Sequence, residues 1–190
     1  MDEGSDRSTR PGPATGPAPD LTADLTPGLP AGLTPELLEK MREVGLKLDR
    51  AGVLWHQGVE VSHARLRQAL LRWMDVLPPG ADGTPGRDVM RLDAQRFAYL
   101  EVEDAHLRAR SARWEGDHCR VLWDDDQELE LDYASLRQAP DHALYATARG
   151  RLRGRIAGPA YHAVAERIRA EGDGFVLAAA GATWPIAEAA

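Results

Sequence analysis

Residues 53–74, VLWHQGVEVSHARLRQALLRWM, change hydrophobic period midway. Val53, Leu54 and Trp55 form a short apolar run, Gly58 permits a bend before Val59-Glu60-Val61, and Ser62 is placed to cap the next element. From there Leu66, Ala69, Leu70, Trp73, Met74 and Leu77 recur at helical spacing, with Arg65, Gln68 and Arg72 on the other side. The spacing predicts a helix over 63–76. Upstream, Thr34 reads as an N-cap with Pro35 at the first helical position. Leu37, Leu38, Met41 and Val44 then mark one helix face, and Gly45 is a stop. The stretch LKLDRAGVLW, 46–55, reads as a tight hairpin turning at Asp49 to Gly52.

Similar letters return at 121–139, VLWDDDQELELDYASLRQA. There LRQA runs straight into Pro140, and Glu128, Glu130 and Asp132 alternate with Leu129 and Leu131, which is a strand pattern. The shared spelling therefore counts as chance. A firmer repeat lies further on. Arg151 to Ile156 is strand-like, Gly158-Pro159 opens a helix, and Tyr161, Val164, Ala165 and Ile168 line its apolar face, predicting a helix over 160–170. Each long helix precedes a Gly/Asp turn, ADG at 81–83 and GDG at 172–174, which leads into a strand at 89–92 or 175–180.

Between these units run the strand candidates FAYLEVED, HLRARSARW, HCRVLW and QELELD, joined by connections too short for crossovers and so antiparallel. The fold class is α+β: two strand-helix-strand units, with two principal helices packed on a largely antiparallel, twisted sheet. The expected division is a tail at 1–33, an N-terminal lobe at 34–103 and a C-terminal lobe at 104–190.

Composition sharpens three points. Six of the 13 prolines fall before residue 34, among Gly, Ala, Thr and Asp, so that segment is expected to be a disordered, solvated tether. The formal charge of -7 disfavours nucleic acid and anionic membrane surfaces as partners. Cys119 is the only cysteine, the N-terminus has no signal-peptide core, and no run is long and apolar enough for a membrane helix, so the chain is expected in the cytoplasm.

The order DRAGVLWHQGVEV, amphipathic helix, LEVEDAHL, YATARGRLRGRIAGPAYHAVAERI and a glycine-bearing strand ending ATWPI resembles the bacterial family called domain of unknown function 1285. The resemblance covers 46–187. Its most specific pieces are His56-Gln57-Gly58, Val102-Glu103-Asp104-Ala105 and the passage from ARGRLRGRI to AYHAV. It implies two structurally similar halves, no assigned activity, and a signalling role with a ligand held between the halves. The chain departs from the family pattern at polar positions. An Arg is replaced by His63, a Thr-Pro-x-Glu element by Asp93-Ala94-Gln95-Arg96, a second Arg by Gly158 and a Ser by Ala179. The resemblance thus implies a divergent member, in which the fold transfers better than any ligand.

The most unusual local chemistry is RGRLRGR. Read as one strand, it puts Arg149, Arg151, Arg153 and Arg155 on one face with Leu152 and Ile156 on the other. Such a face is suited to a phosphate, nucleotide or acidic peptide through bidentate hydrogen bonds. The competing reading pairs it with Glu128, Glu130 and Asp132 on a neighbouring strand. His56 and His63, brought together by the bend at Gly58, are further ligand-binding candidates. The six histidines show no zinc spacing, and Asp124-Asp125-Asp126 reads as a solvated turn. His118 and Cys119 point to opposite faces of a strand, and neither a nucleophile elbow nor a phosphate loop occurs. No metal or cofactor is expected and no catalytic residue is assigned. The expected function is a noncatalytic cytoplasmic binding module, in signalling, for a small anionic ligand or a protein partner. The alternatives are an assembly scaffold and an enzyme with a dispersed site around His56, His63 and Glu103.

Overall fold

The computed structural model describes residues 35–93 and 96–189. The expected tail at 1–33, the Thr34 cap and positions Ala94 and Gln95 lie outside the described residues. Helix α1 (Pro35–Arg42) comes first, then strands β1 (Leu46–Leu48) and β2 (Leu54–His56) as an antiparallel hairpin. The turn forms where expected. Asp49 accepts from the Val53 amide at 2.8 Å and the Trp55 indole at 2.9 Å, and Gly52 takes φ +85°, which favours glycine. Gln57 and Gly58, both at positive φ, turn the chain into β3 (Val59–Glu60).

Helix α2 (Ala64–Trp73) comes after β3, and three details differ from expectation. The cap is His63, whose Nδ1 accepts from the Leu66 amide at 3.2 Å, and not Ser62. The helix also stops at Trp73. Met74–Val76 become strand β4, paired antiparallel with β5 (Asp88–Arg91), because Met74 and Val76 alternate into the core while Pro78 disfavours helix before it. The buried side of α2 centres on Leu71, leaving Leu66 47% and Trp73 41% exposed. Strand β6 (Phe97–Val102) completes a six-stranded sheet in the order β3-β2-β1-β6-β5-β4, in which only the β1–β6 pair is parallel.

An antiparallel meander comes next: β7 (Leu107–Glu115), β8 (His118–Trp123) and β9 (Glu128–Glu130). The chain then makes β10 (Arg137–Gln138), β11 (Leu144–Arg149), β12 (Leu152–Ile156), α3 (Gly158–Ala165), β13 (Ile168–Glu171), β14 (Gly174–Ala179) and β15 (Ala182–Glu188). The second helix also ends early, since Ile168 and Ala170 alternate in a hairpin with β14. Its Val164 is fully buried, as expected. These strands form a nine-stranded sheet in the order β13-β14-β15-β10-β11-β12-β7-β8-β9. The protein is therefore α+β, with two mixed, mostly antiparallel sheets and two main helices. No helix among the described residues is long and apolar enough to cross a membrane.

The two sheets contain one topology twice. Hairpin, return strand, helix and a three-stranded meander whose last strand pairs parallel with the first occur as β1-β2-β3-α2-β4-β5-β6 and as β10-β11-β12-α3-β13-β14-β15. The register agrees at an offset of 90 residues over the first hairpin, where Lys47 faces Trp55 as Arg137 faces Tyr145; the longer β11–β12 turn then shifts the offset, and His56 faces Val59 as Ala146 faces Gly154. Turn hydrogen bonds repeat as well. Asp49 N to Val53 O matches Ala139 N to Ala143 O, and Glu103 N to Leu48 O matches Ala189 N to Gln138 O. We call these repeat 1 and repeat 2. The LRQA letters sit in α2 in one case and at β10 in the other, outside this register.

One core runs through both repeats, from Leu48, Leu54 and Leu71 to Leu152, Val164 and Leu177, with Trp123 from the inserted meander among them. Gly154 lets the Trp123 ring lie on the β12 backbone; an added Cβ would overlap that ring. At Gly52 a Cβ would stand 2.7 Å from Arg108 Nη1. That guanidinium donates to the Asp49 and Arg50 carbonyls at 3.2 and 2.6 Å, clamping repeat 1's first turn to β7.

Candidate functional site

The arginine run does not form one strand. Arg149 ends β11, Gly150 takes φ +57°, Arg151 lies in the turn, and only Arg153 and Arg155 belong to β12. The inward face of β12 is Leu152, Gly154 and Ile156. The expected pairing with Glu128, Glu130 and Asp132 also fails, because β7 and β8 stand between β12 and β9. Glu128 instead pairs with Arg113, and Glu130 with His118 at 2.7 Å.

The four arginines have three different situations. Arg149 meets the fully buried Asp125 at 3.2 Å and reaches the Leu71 and Arg72 carbonyls at the C-terminal end of α2, each at 3.2 Å. Arg155 is answered by Asp104 at 3.2 Å and Asp141 at 2.6 Å, which holds the Asp141 carboxyl below the usual carboxylate range. Arg153 donates to the Asp104 carbonyl and has no carboxylate partner, while Arg151 is exposed and unbonded among the described residues. These two line a cleft of about 290 Å³ together with Ser135, Arg137, Tyr145, Ala146, Thr147 and Ala189. Arg137 likewise donates only to carbonyls, those of Ala134 and Leu136, at 3.1 and 2.8 Å. Three arginines without carboxylate partners among the described residues thus line one cleft.

The polar groups beside the cleft are already committed. Ser135 accepts from the Thr147 amide at 2.8 Å and donates to the Asp132 carbonyl at 2.9 Å. Tyr145 donates to Asp104 at 2.7 Å and accepts from Arg155 at 2.5 Å; its burial pushes the phenol above its ordinary value, with the Asp104 hydrogen bond acting the same way. Unspent donors are the remaining guanidinium N–H groups and the Thr147 hydroxyl. Arg137 is the member that sequence reasoning missed. Its signal was the β10–β11 pairing, and a two-residue strand gives too little alternation to read.

The other expected site residues stand elsewhere. His56 ends β2 and His63 caps α2; both are exposed, and no contact joins them. Glu103 pairs with Lys47 at 2.6 Å and accepts from the Arg50 amide at 2.9 Å. His106 is buried between the repeats, its Nε2 2.8 Å from Asp88 of β5 and its Nδ1 accepting from the Arg153 amide at 3.0 Å. The aspartates at 124–126 form the expected turn, but of the three only Asp126 is exposed. Asp124 accepts from the Arg108 amide at 3.0 Å, burial raises its carboxyl above the ordinary range, and Asp125 is wholly enclosed. Burial pushes the Cys119 thiol up to about 11, which leaves it inert. Among the described residues no cluster of His, Cys, Asp and Glu could hold a metal ion.

Five concavities are lined either by residues 41–98 and 45–103 or by residues 135–189, so none of them lies between the repeats. A groove of about 430 Å³ in repeat 1, walled by Met41, Leu70, Trp73, Met90, Leu92 and Phe97, is mainly apolar.

A doubled sheet-helix-sheet topology with an inserted meander defines the class of protein. Two solved bacterial structures resemble this fold. A DUF1285 family protein from Silicibacter pomeroyi superposes with a TM-score of 0.61 at 14% identity, covering 77% of this chain and 81% of that one. A DUF1285 family protein from Shewanella baltica gives 0.50 at 14% identity, covering 64% and 90%. No family model and no curated protein matches the sequence. The resemblance drawn from residues 46–187 is thus borne out as a likeness of fold, and at this identity it carries the fold alone.

Proposed function

We propose that the protein is a noncatalytic binding module for a small anionic ligand, held in the repeat 2 cleft by Arg137, Arg151 and Arg153. One observation carries this reading: three guanidinium groups share a cleft and none has a carboxylate partner among the described residues. Most other described arginines are paired with acids, so these three are exceptions in a chain of net charge -7. Like charges gathered without counter-ions raise the local potential and favour an incoming anion. Arginine forks grip carboxylate or phosphate oxygens in pairs, with geometric selectivity that a lysine lacks.

Arg149 and Arg155 support the site without facing its ligand, and His56 and His63 take no part in it. A cytoplasmic location fits a chain whose single cysteine is buried and unpaired. Occupancy of the cleft, sensed by a partner, is the form a signalling role would take here. The test is calorimetric titration of the full chain with pyrophosphate and with succinate at fixed ionic strength. Saturable, salt-sensitive binding is expected, weakened at least about ten-fold in Arg151→Ala/Arg153→Ala, as the loss of charge-assisted bonds implies. Unchanged binding in that variant removes the site.

A further inference from the structure

The two repeats carry the same cleft with opposite electrostatics. In repeat 1 the concavity around β1 and β2 is lined by Lys47, Asp49, Trp55, Gln57, Glu101 and Glu103. In repeat 2 the counterpart is lined by Arg137, Tyr145, Arg151 and Ala189 among others. The correspondence is fixed by backbone pairing. Lys47 faces Glu101 across the parallel β1–β6 pair, and Arg137 faces Ala187 across the parallel β10–β15 pair. Two residues on, Glu103 and Ala189 each donate their amide to the carbonyl of the residue after that cation, Leu48 and Gln138.

In repeat 1 the cation is satisfied internally, with Glu101 at 3.2 Å and Glu103 at 2.6 Å from Lys47 Nζ. Both carboxylate positions are alanine in repeat 2, while the cation is kept and Arg151 and Arg153 are added beside it. Ala189, at the Glu103 position, lines the cleft, and Ala187, at the Glu101 position, stands across the parallel pair from Arg137.

Resting on the anion-binding reading above, we infer that the ligand is a compact molecule carrying two separate acid groups. These groups stand where Glu101 and Glu103 stand in repeat 1. Three cations match two anionic groups better than one, and the unspent guanidinium N–H groups of the cleft can only donate, which favours acceptor oxygens on the ligand at this end. Dicarboxylates and diphosphates share that chemistry.

The experiment compares two-acid with one-acid probes on the full chain at constant ionic strength: succinate against acetate, and pyrophosphate against inorganic phosphate. At least one two-acid probe is expected to bind about ten-fold or more tightly than its one-acid relative, and the pair that does so names the acid type. Equal affinity within both pairs overturns the two-group inference while leaving the anion site standing; no binding by any of the four overturns both. A second arm rebuilds repeat 1's counter-ions in repeat 2. Ala187→Glu/Ala189→Glu, which fills and neutralises the cleft, is expected to abolish binding, and the small, neutral Ala187→Ser/Ala189→Ser to retain most of it. Tight binding by the acidic variant, or equal loss in both variants, overturns the correspondence.

Discussion

Repeat 1 and repeat 2 share a topology and a strand register, yet they bury their helices differently. Helix α3 lies on β7 of the inserted meander, where the Trp114 indole donates to the Ala163 carbonyl at 2.7 Å and Arg167 stacks 3.9 Å from the Trp114 ring. Val164 and Ala160 are consequently sealed. Helix α2 has no such cover. It touches the β8–β9 turn through polar contacts, Arg67 with Asp124 at 3.6 Å and Arg72 with the Asp125 carbonyl at 3.0 Å, and leaves Trp73 half in water. The β12 edge of repeat 2 is extended by β7–β9, whereas the β3 edge of repeat 1 is two exposed residues. Neighbourhood, more than internal pattern, decides what each copy buries and which charges it must neutralise itself.

The largest test of that contrast uses one equivalent position. Gly154→Ala should cost about 3 kcal/mol, since the new methyl overlaps the Trp123 ring in a packed core. At the matching site in repeat 1, Val59 is 70% exposed, and Val59→Ala should stay within about 0.5 kcal/mol. Urea denaturation of both variants gives the comparison; similar losses would dissolve it. Next comes a split within the arginine run. Arg149→Ala strips the enclosed Asp125 of its partner and uncaps α2, a loss of about 3 kcal/mol for orphaning a buried charge. Arg151→Ala, two residues away, should leave stability within about 0.5 kcal/mol and alter only anion binding.

The smallest effect belongs to the meander, which repeat 1 lacks. The Glu130 hydrogen bond raises the His118 imidazole above its ordinary 6.5. Because the folded value is the higher one, the favourable contribution is full below the ordinary value and lost as pH rises through the folded one. An NMR titration should show the His118 midpoint falling in Glu130→Gln, with the amide signals of both helices undisturbed.

How much of this was written legibly in the chain depends on what each residue must satisfy locally. The hairpin at Asp49 to Gly52, the bend at Gly58 and the strand from Leu107 to Glu115 arise from turn chemistry and alternation, and all three were readable. Helix ends were not. Met74 and Ile168 fit a helical stripe, but each also fits a strand, and pairing with Met90 or Leu177 across the following turn decided the matter. The arginine face was half readable: Gly150 is the only local sign that the run is a hairpin and not a strand. Arg137 could not be found at all, because its place in the cleft comes from a parallel pair 50 residues apart.

Glu103 and Asp104 are adjacent in the chain and belong to different partners. Glu103 bonds Lys47 and the Arg50 amide of repeat 1, while Asp104 takes Tyr145 and Arg155 of repeat 2. The chain therefore leaves repeat 1 for the inserted meander through one peptide bond that carries an anchor to each copy. Such an exit has no slack: the first turn of the meander is stapled to both copies before its own first strand begins.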